Sequence, residues 1–482
     1  MWTGFYRNGR GAFLVIAGML ALAACQTPAP PPGQRPGPPA PAPVQQPQQS
    51  PAPQAPLPEA PSPEILTPPH MEGRKLLRIG LLLPFGADSA ALRNEARSML
   101  KAAQMAIFEA ADPRLVLLPK DSAGTPEEAR SSAEAMIAEG AGIIMGPVLS
   151  DAVAAAGEAA KAAHIPIIAF STDRSVAGDG VYLLSFMPEA DIARMVDFID
   201  AQNRAAMETL GALRPDAQTT TPAPATINAV ALLRPEGRYG DRVEEALFTF
   251  APRAGLAISD IAYYGSDVQS MDAPARQIAH VRERQAAIAA WKKAGGAGDP
   301  SLDPDFVFSL PYQAVFLPES GVRLRSLAPL LPFYDVDPKI TRFIGVHLWN
   351  DETLLREPAL FGGWFPGPAS APHDAFMASY DSAFGEKPGR LASLAHDAVM
   401  VTAQISRQDQ DEQQASAGSA IDGDALLRPE GFYGADGRFR FGPDGLVQRL
   451  LSVFEIRPGK TVEIDPAPPI FTNPDQPGNA AY

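Results

Sequence analysis

In a chain of 482 residues, 40 basic side chains stand against 55 acidic ones, a formal charge of −15. This balance argues against nucleic-acid or anionic-lipid surfaces, which reward positive charge. A single cysteine excludes an intrachain disulfide. The six histidines, His70, His164, His280, His347, His373 and His396, show no metal-ligand spacing, so no metal and no cofactor is expected.

Arg7 and Arg10 precede an apolar run from Gly11 to Ala24, followed by Cys25. A positive start, an apolar core and a small-residue exit are the parts of a secretory signal, and the run is too short for the roughly 20 residues of a spanning helix. The tetrapeptide Leu22-Ala23-Ala24-Cys25 resembles the lipobox of bacterial lipoproteins. That resemblance implies removal of residues 1–24 and lipidation of Cys25. With Gln26 and not Asp in the next position, it implies sorting to the outer membrane, on the periplasmic face. The alternative is a cleaved soluble protein with an idle thiol, but the only cysteine of the chain falls at this spot. Cleavage would remove two arginines and no acid, taking the formal charge from −15 to −17.

Residues 25–74 read as a linker. Between Pro28 and Pro69, 18 of 42 residues are proline, and Arg35, Glu59 and Glu64 are the only charges. Such a segment offers no core and favours extended polyproline II, with an upper reach on the order of 130 Å at about 3.1 Å per residue.

From Lys75 onward strands and helices alternate, the pattern of a parallel sheet with crossover helices. The expected strands are Leu77–Leu83, Leu115–Leu118, Ile143–Met145, Ile165–Phe170 and Val181–Phe186. Between them lie a helix over 89–110, with Leu92, Ala96, Met99, Ala103 and Ile107 at helical spacing, and a helix opened by Thr125, Pro126 and Glu128 and stopped at Gly140. An alanine-rich helix over 150–163 follows. A helix from Pro188 through Phe198 precedes a second series of strands at Ala229–Leu233, Ile258–Tyr264, Phe306–Leu310 and Phe343–Leu348. Polar stretches at 211–226, 294–304 and 407–424 read as surface insertions, and 466–482 as a flexible tail. The nonapeptides at 232–240 and 426–434 match at eight of nine positions, but the first leads into a helix and the second into a hairpin, so they are not a structural repeat.

Two motifs with enzymatic overtones carry little. Ser98-Met99-Leu100-Lys101 has the spacing of a β-lactamase nucleophile, yet Met99 and Leu100 belong to the apolar pattern of the first helix, and only Gly459-Lys460-Thr461 stands where a companion would be needed. Gly140, Gly142 and Gly146 do not fit a dinucleotide fingerprint and read as helix stop and strand exit.

Read in order, RIGLLLPF, IIMGPVLS, HIPIIAFST, YLLSFMPEADIAR and ALLRPEGRYGDRVEEAL resemble the type I periplasmic binding-protein family of the leucine-binding kind, over about 76–465. The chain is most similar within it to the C-terminal domain of penicillin-binding-protein activator lipoproteins, through Gly146-Pro147, Met187-Pro188-Glu189 and Gly240-Asp241-Arg242-Val243. It differs from them in carrying a proline-rich arm in place of a helical-repeat domain. The resemblance implies an α/β fold of two lobes, each a mostly parallel sheet flanked by helices, with lobe one as 75–187 and 366–430 and lobe two as 188–365 and 431–465.

It further implies a ligand cleft at the carboxyl ends of the strands, lined by Phe85, Gly86, Val148, Leu149, Ser150, Ser171 and Thr172 from lobe one and Tyr239, Tyr312 and His347 from lobe two. Each has a plainer reading. Ser150 and Thr172 suit helix N-caps, Tyr239 and Tyr312 suit packing, and His347 beside Trp349 suits a satisfied core histidine. Amino-acid binders of the family hold the ligand ammonium with an acid, and the nearest in sequence to His347 are Asp351 and Glu352. The expected function is that of a non-catalytic envelope lipoprotein that regulates peptidoglycan synthesis through a penicillin-binding protein. The alternative is the solute-binding component of an amino-acid or amide ABC transporter, and an enzyme of cell-wall material ranks third. A small molecule in the cleft is compatible with either of the first two, and the membrane would be met through the lipid alone.

Overall fold

The computed structural model describes residues 76–212, 226–300, 303, 306–411, 421 and 423–471, all within one compact unit, Ile65–Tyr482. Cys25, the proline-rich segment, most of the insertions 211–226 and 407–424 and most of the tail lie outside the described residues, while most of the insertion 294–304 lies within them.

Leu77–Leu83 is the first strand, β1, and its side chains from Ile79 onward are buried on both faces, as a central parallel strand requires. After it come α1 (Ala90–Ala110), β2 (Leu115–Asp121), α2 (Pro126–Ala138), β3 (Ala141–Met145), α3 (Ser150–Ala162), β4 (Ile167–Ala169) and β5 (Val181–Leu183). Ser89 caps α1 by accepting from the Leu92 N–H, and Thr125 caps α2 by accepting from the Glu128 N–H. The Thr125 N–H donates to the Ser122 carbonyl, so Glu128 does not return the bond as it would in a capping box. The five strands form one parallel sheet in the order β2-β1-β3-β4-β5.

The second series comprises α4 (Pro188–Ala212), β6 (Ala229–Pro235), α5 (Arg238–Phe250), β7 (Ala257–Tyr264), α6 (Asp272–Ile278), α7 (Val281–Lys293), β8 (Ala314–Phe316), α8 (Gly321–Leu327), α9 (Leu330–Phe333), β9 (Arg342–Ile344) and β10 (Trp364–Gly367). Then follow α10 (Ser370–Phe384), α11 (Ala392–Asp411), α12 (Gly423–Leu426) and the strands β11 (Phe432–Gly434), β12 (Gly437–Phe441), β13 (Val447–Arg449), β14 (Ser452–Arg457) and β15 (Lys460–Asp465). The second sheet runs β15-β14-β10-β9-β8-β6-β7, parallel from β7 to β10 and closed by the antiparallel pair β14 and β15.

Each sheet has its own core. Leu81, Leu82 and Leu83 pack with Met99, Ile143, Ile144 and Val399 in lobe one. In lobe two, α4 and α5 cover one face of the sheet through Ile192, Val196, Val243 and Leu247, while α6 and α8 cover the other through Ile278, Leu324 and Leu327. Full burial of each large aliphatic side chain contributes about 1.5–3 kcal/mol.

Three expectations change. Residues 306–310 form no strand, and the strand of that region is β8, where Ala314, Val315 and Phe316 are buried on both faces. The run Phe343–Leu348 stops as a strand at Ile344, and His347–Trp349 turns as a 3₁₀ helix so that Trp349 enters the core. The small antiparallel sheet β11-β12-β13, assigned by its position after residue 430 to lobe two, sends Phe432, Phe439, Phe441 and Val447 into the core of lobe one. The chain therefore crosses between the lobes at 184–187, 368–369 and 450–451, the last crossing falling some twenty residues later than expected.

Candidate functional site between the lobes

Strand order reverses beside β1 in the first sheet and beside β6 in the second, and at such switch points the loops after the strands diverge and leave a crevice. The loops after β1, β3 and β4 carry the lobe-one residues of the cleft. Phe85 is half-buried on the lobe-one core, and the exposed Gly86 donates its N–H to Asp121 Oδ1 at 2.9 Å. A Cβ on Gly86 would lie 2.4 Å from Asp121 Oδ2, so the carboxylate of Asp121 fixes this loop.

Val148 rests on the core, while Leu149 is exposed and serves as the N-cap of α3 without a side-chain cap bond. Ser150 is the first residue of the helix, so it is not the cap. The first-turn N–H groups of α3 are left uncapped at the strand ends. Ser171 is buried and accepts the Asp173 N–H at 3.1 Å, making a local turn. Thr172 caps nothing either, because Asp173 caps the short helix that follows.

Lobe two brings fewer of its expected residues to the cleft. Tyr312 is a core residue, 2% exposed, with its hydroxyl donating to the Ile278 carbonyl at 2.7 Å, and burial pushes its phenol up. His347 lies at the cleft end of the second sheet, where its Nδ1 stands 2.6 Å from Asp191 Oδ2 and its backbone N–H donates to the same oxygen at 3.1 Å. Its ring stacks on Phe186 at 4.8 Å. Asp191, in the first turn of α4, is fully buried, and its Oδ1 has no hydrogen-bond partner. The Tyr239 hydroxyl is likewise buried and unpartnered. Burial pushes this phenol up, as do the negative charges of Asp191 and Glu319, against Arg242 and Arg390.

Glu319 is already engaged, accepting from Arg323 Nε at 2.8 Å and from the Tyr264 hydroxyl at 3.2 Å. Asp351 and Glu352, the acids nearest His347 in sequence, are occupied elsewhere. Asp351 caps a short turn through the Thr353 N–H, and Glu352 pairs with Lys387 at 2.7 Å. The acid that reaches the cleft wall is Asp191, 156 positions before His347.

Polar contacts join the lobes across the cleft, among them Arg174 to Glu189 at 3.5 Å. Arg242, held within lobe two by two bonds to Glu189 of 2.8 and 3.1 Å, donates to the Thr172 carbonyl of lobe one. Arg238 pairs with Asp173 at 3.2 Å, and Lys387 with Glu352. The bonds from Ser175, followed by the nearby charges of Arg238 and Arg242, hold the Asp173 carboxyl below its ordinary range.

A family model for periplasmic binding proteins matches residues 77–291. A solved protein of Rhodospirillum rubrum, assigned to a branched-chain amino acid ABC transporter, is 17% identical with a TM-score of 0.59, covering 81% of this chain and all of its own. The fold is that of a type I periplasmic binding protein. An ABC transporter substrate-binding protein from Sphaerobacter thermophilus is similar at 19% identity and a TM-score of 0.57, covering 81% of this chain and 96% of its own. A branched-chain amino acid substrate-binding protein of Streptococcus pneumoniae, solved with isoleucine, reaches 16% identity and a TM-score of 0.50, covering 81% and 100%. No curated protein matches the chain in sequence.

Within this binding-protein fold the Ser98 and Lys101 pair is structural. Ser98 Oγ lies 2.9 Å from the Tyr380 hydroxyl and accepts the Gly389 N–H at 2.7 Å, while Lys101 pairs with Glu386 at 2.7 Å. Among the described residues no group of His, Cys, Asp and Glu is arranged to hold a metal ion, and no helix is long and apolar enough to cross a membrane. A cavity of about 620 Å³ opens between α4, α5 and β12–β13, with Arg174 and Glu189 in its lining.

Proposed function

We propose that this chain is a non-catalytic receptor whose interlobe cleft binds a small amino-acid-like solute, in the manner of the solute-binding component of an ABC importer. The observation that carries the reading is the pair of buried, unpartnered oxygens at the cleft wall, Asp191 Oδ1 and Tyr239 Oη. Leaving such groups without partners costs about 1–3 kcal/mol each, more for a charged one, and a protonated amine would satisfy both. The uncapped N–H groups at the start of α3, on the opposite wall, suit a ligand carboxylate. The isoleucine in the Streptococcus pneumoniae structure is a ligand of that combination.

The test is a thermal-shift and calorimetric screen of the lipid-free full chain against amino acids and aromatic acids. Amino acids should raise the Tm and aromatic acids should not. Asp191→Asn and Tyr239→Phe should each weaken binding about tenfold or more, a loss of about 1.4 kcal/mol or more, without abolishing folding. Failure of every amino acid to bind the wild-type chain would sink the reading.

A second reading, control of a penicillin-binding protein in peptidoglycan synthesis, is favoured by one sequence feature, the 42-residue proline-rich arm after Cys25. A receptor docking on an inner-membrane permease gains little from a lipid on the opposite membrane, whereas an effector that must cross the cell wall gains reach and effective concentration. In either reading the proposed location is the periplasmic face of the outer membrane, through lipid on Cys25. Cys25→Ser should lose fatty-acid labelling and leave the outer-membrane fraction. Retained label would refute the anchor.

A further inference from the structure

The third crossing between lobes begins at Arg449, the last residue of β13. Its side chain is only 2% exposed, its Nε donates to the Ser185 carbonyl in the first crossing at 3.1 Å, and its guanidinium lies 4.5 Å over the Phe186 ring and 5.1 Å from that of Phe439. The Phe186 ring in turn stacks on His347 of lobe two.

On the lobe-one side Arg449 Nη1 stands 3.8 Å from Asp397 Oδ2, an ion pair too long for a hydrogen bond. Both Nη groups, Asp397 Oδ2 and Asp436 Oδ2 lack hydrogen-bond partners although all are buried. The other oxygens are held. Asp397 Oδ1 accepts the Ala435 N–H and faces His396 Nδ1 at 3.3 Å, and Asp436 Oδ1 stands 2.8 Å from His373 Nδ1. His396 also meets Glu109 of α1 at 2.8 Å. A guanidinium facing two carboxylates without bonding to either is held there by its other contacts, namely the Ser185 carbonyl and the two rings.

We propose that Arg449 is the pin of the lobe hinge: anchored to Ser185 and stacked through Phe186 onto His347, it ties two of the three crossings together and sets the angle at which the lobes meet. The arrangement uses geometry and charge together. Phe186 transmits the position of Arg449 to lobe two, while the facing carboxylates of Asp397 and Asp436 keep the guanidinium charged despite burial that pulls it below the ordinary arginine range. The pin needs no bound molecule, so it stands or falls apart from the ligand proposed above.

The experiment places spin labels on exposed positions of each lobe, Glu158→Cys in α3 and Glu283→Cys in α7, in the full chain carrying Cys25→Ser, and measures the interlobe distance by pulsed electron resonance. The unaltered hinge should give a single narrow distribution. Arg449→Lys keeps the charge but loses the planar fork and the Nε bond, and Phe186→Leu keeps every charge but removes the stacked ring. Both should widen the distribution about twofold or shift its centre, as a relaxed two-state equilibrium would. If Arg449→Lys does not fold by circular dichroism, Phe186→Leu decides alone. A wild-type distribution in the folded variants, Phe186→Leu included, would overturn the proposal.

Discussion

Single residues show what distance along the chain conceals. The motif Ser98 to Lys101 could be set aside from its apolar neighbours alone, but what Ser98 does required Tyr380 and Gly389, nearly three hundred positions away. Ser98→Ala should leave the Gly389 N–H without its acceptor, destabilising the fold by about 1–3 kcal/mol; thermal melting should show a Tm lower by a few degrees with ligand affinity unchanged. His396 offers a second test. Burial lowers its pKa, but bonds to Asp397 and Glu109 outweigh this and raise it to about 9. A histidine raised in the folded state contributes stability that is full below its unfolded value of about 6.5 and lost as pH rises through 9. Urea unfolding of the wild type should weaken between those limits, and His396→Asn should flatten the slope. The cleft was legible only in part for the same reason of distance. His347 is reached through the family resemblance, but Asp191 sits in a helix entry that reads as ordinary capping chemistry, and nothing local marks it as the partner of His347. Tyr312 looked equally suited to cleft and core, and the Ile278 carbonyl decided for the core.

At the scale of elements, the strands legible in sequence are those buried on both faces and long enough to show it, such as Leu77–Leu83. The short β4, β5 and β9 are legible because each overlaps a longer apolar run, whereas the apolar run before β8 drew the expectation to 306–310 and β10 was not expected. Capping chemistry was legible at Thr125, which caps α2, but not at Ser150 and Thr172, which cap nothing. Thr125→Ala should cost α2 about 1 kcal/mol, since one orphan N–H loses its acceptor, measurable as a small shift in denaturant midpoint. Gly146 is less forgiving. It has φ of +94°, and a Cβ there would stand 2.0 Å from the Leu82 carbonyl oxygen, where β3 leaves the sheet beside β1. Gly146→Ala should therefore destabilise by about 3 kcal/mol or more, through both positive φ and backbone collision, and expression of soluble protein should fall. The matching nonapeptides confirm that context outweighs local likeness, as Leu232–Pro235 lies in β6 while Leu426 ends α12.

For the whole molecule, a fragment beginning at Lys75 should fold alone, because the proline-rich stretch before it offers almost nothing to bury; circular dichroism and melting of residues 75–482 should match those of the lipid-free full chain. The arm separates the two functional readings at this scale. Removing about 30 of its residues shortens maximal reach by roughly 90 Å, which should abolish complementation of a cell-wall phenotype by a regulator and leave solute affinity untouched in a receptor. Two lobes were legible from the restart of strand–helix alternation after Pro188, but the late crossing was not, since a short hairpin gives no local sign of which core its phenylalanines will join. That small sheet also governs timing. Lobe one is closed by Phe432, Phe439 and Phe441, and lobe two by β14 and β15, so both lobes wait for the last fifty or so residues of the chain. A ribosome that has made the first four hundred residues holds two unfinished cores, and neither can lock before synthesis is almost complete. The order of elements along the chain thus makes completion of both cores a late event in its synthesis.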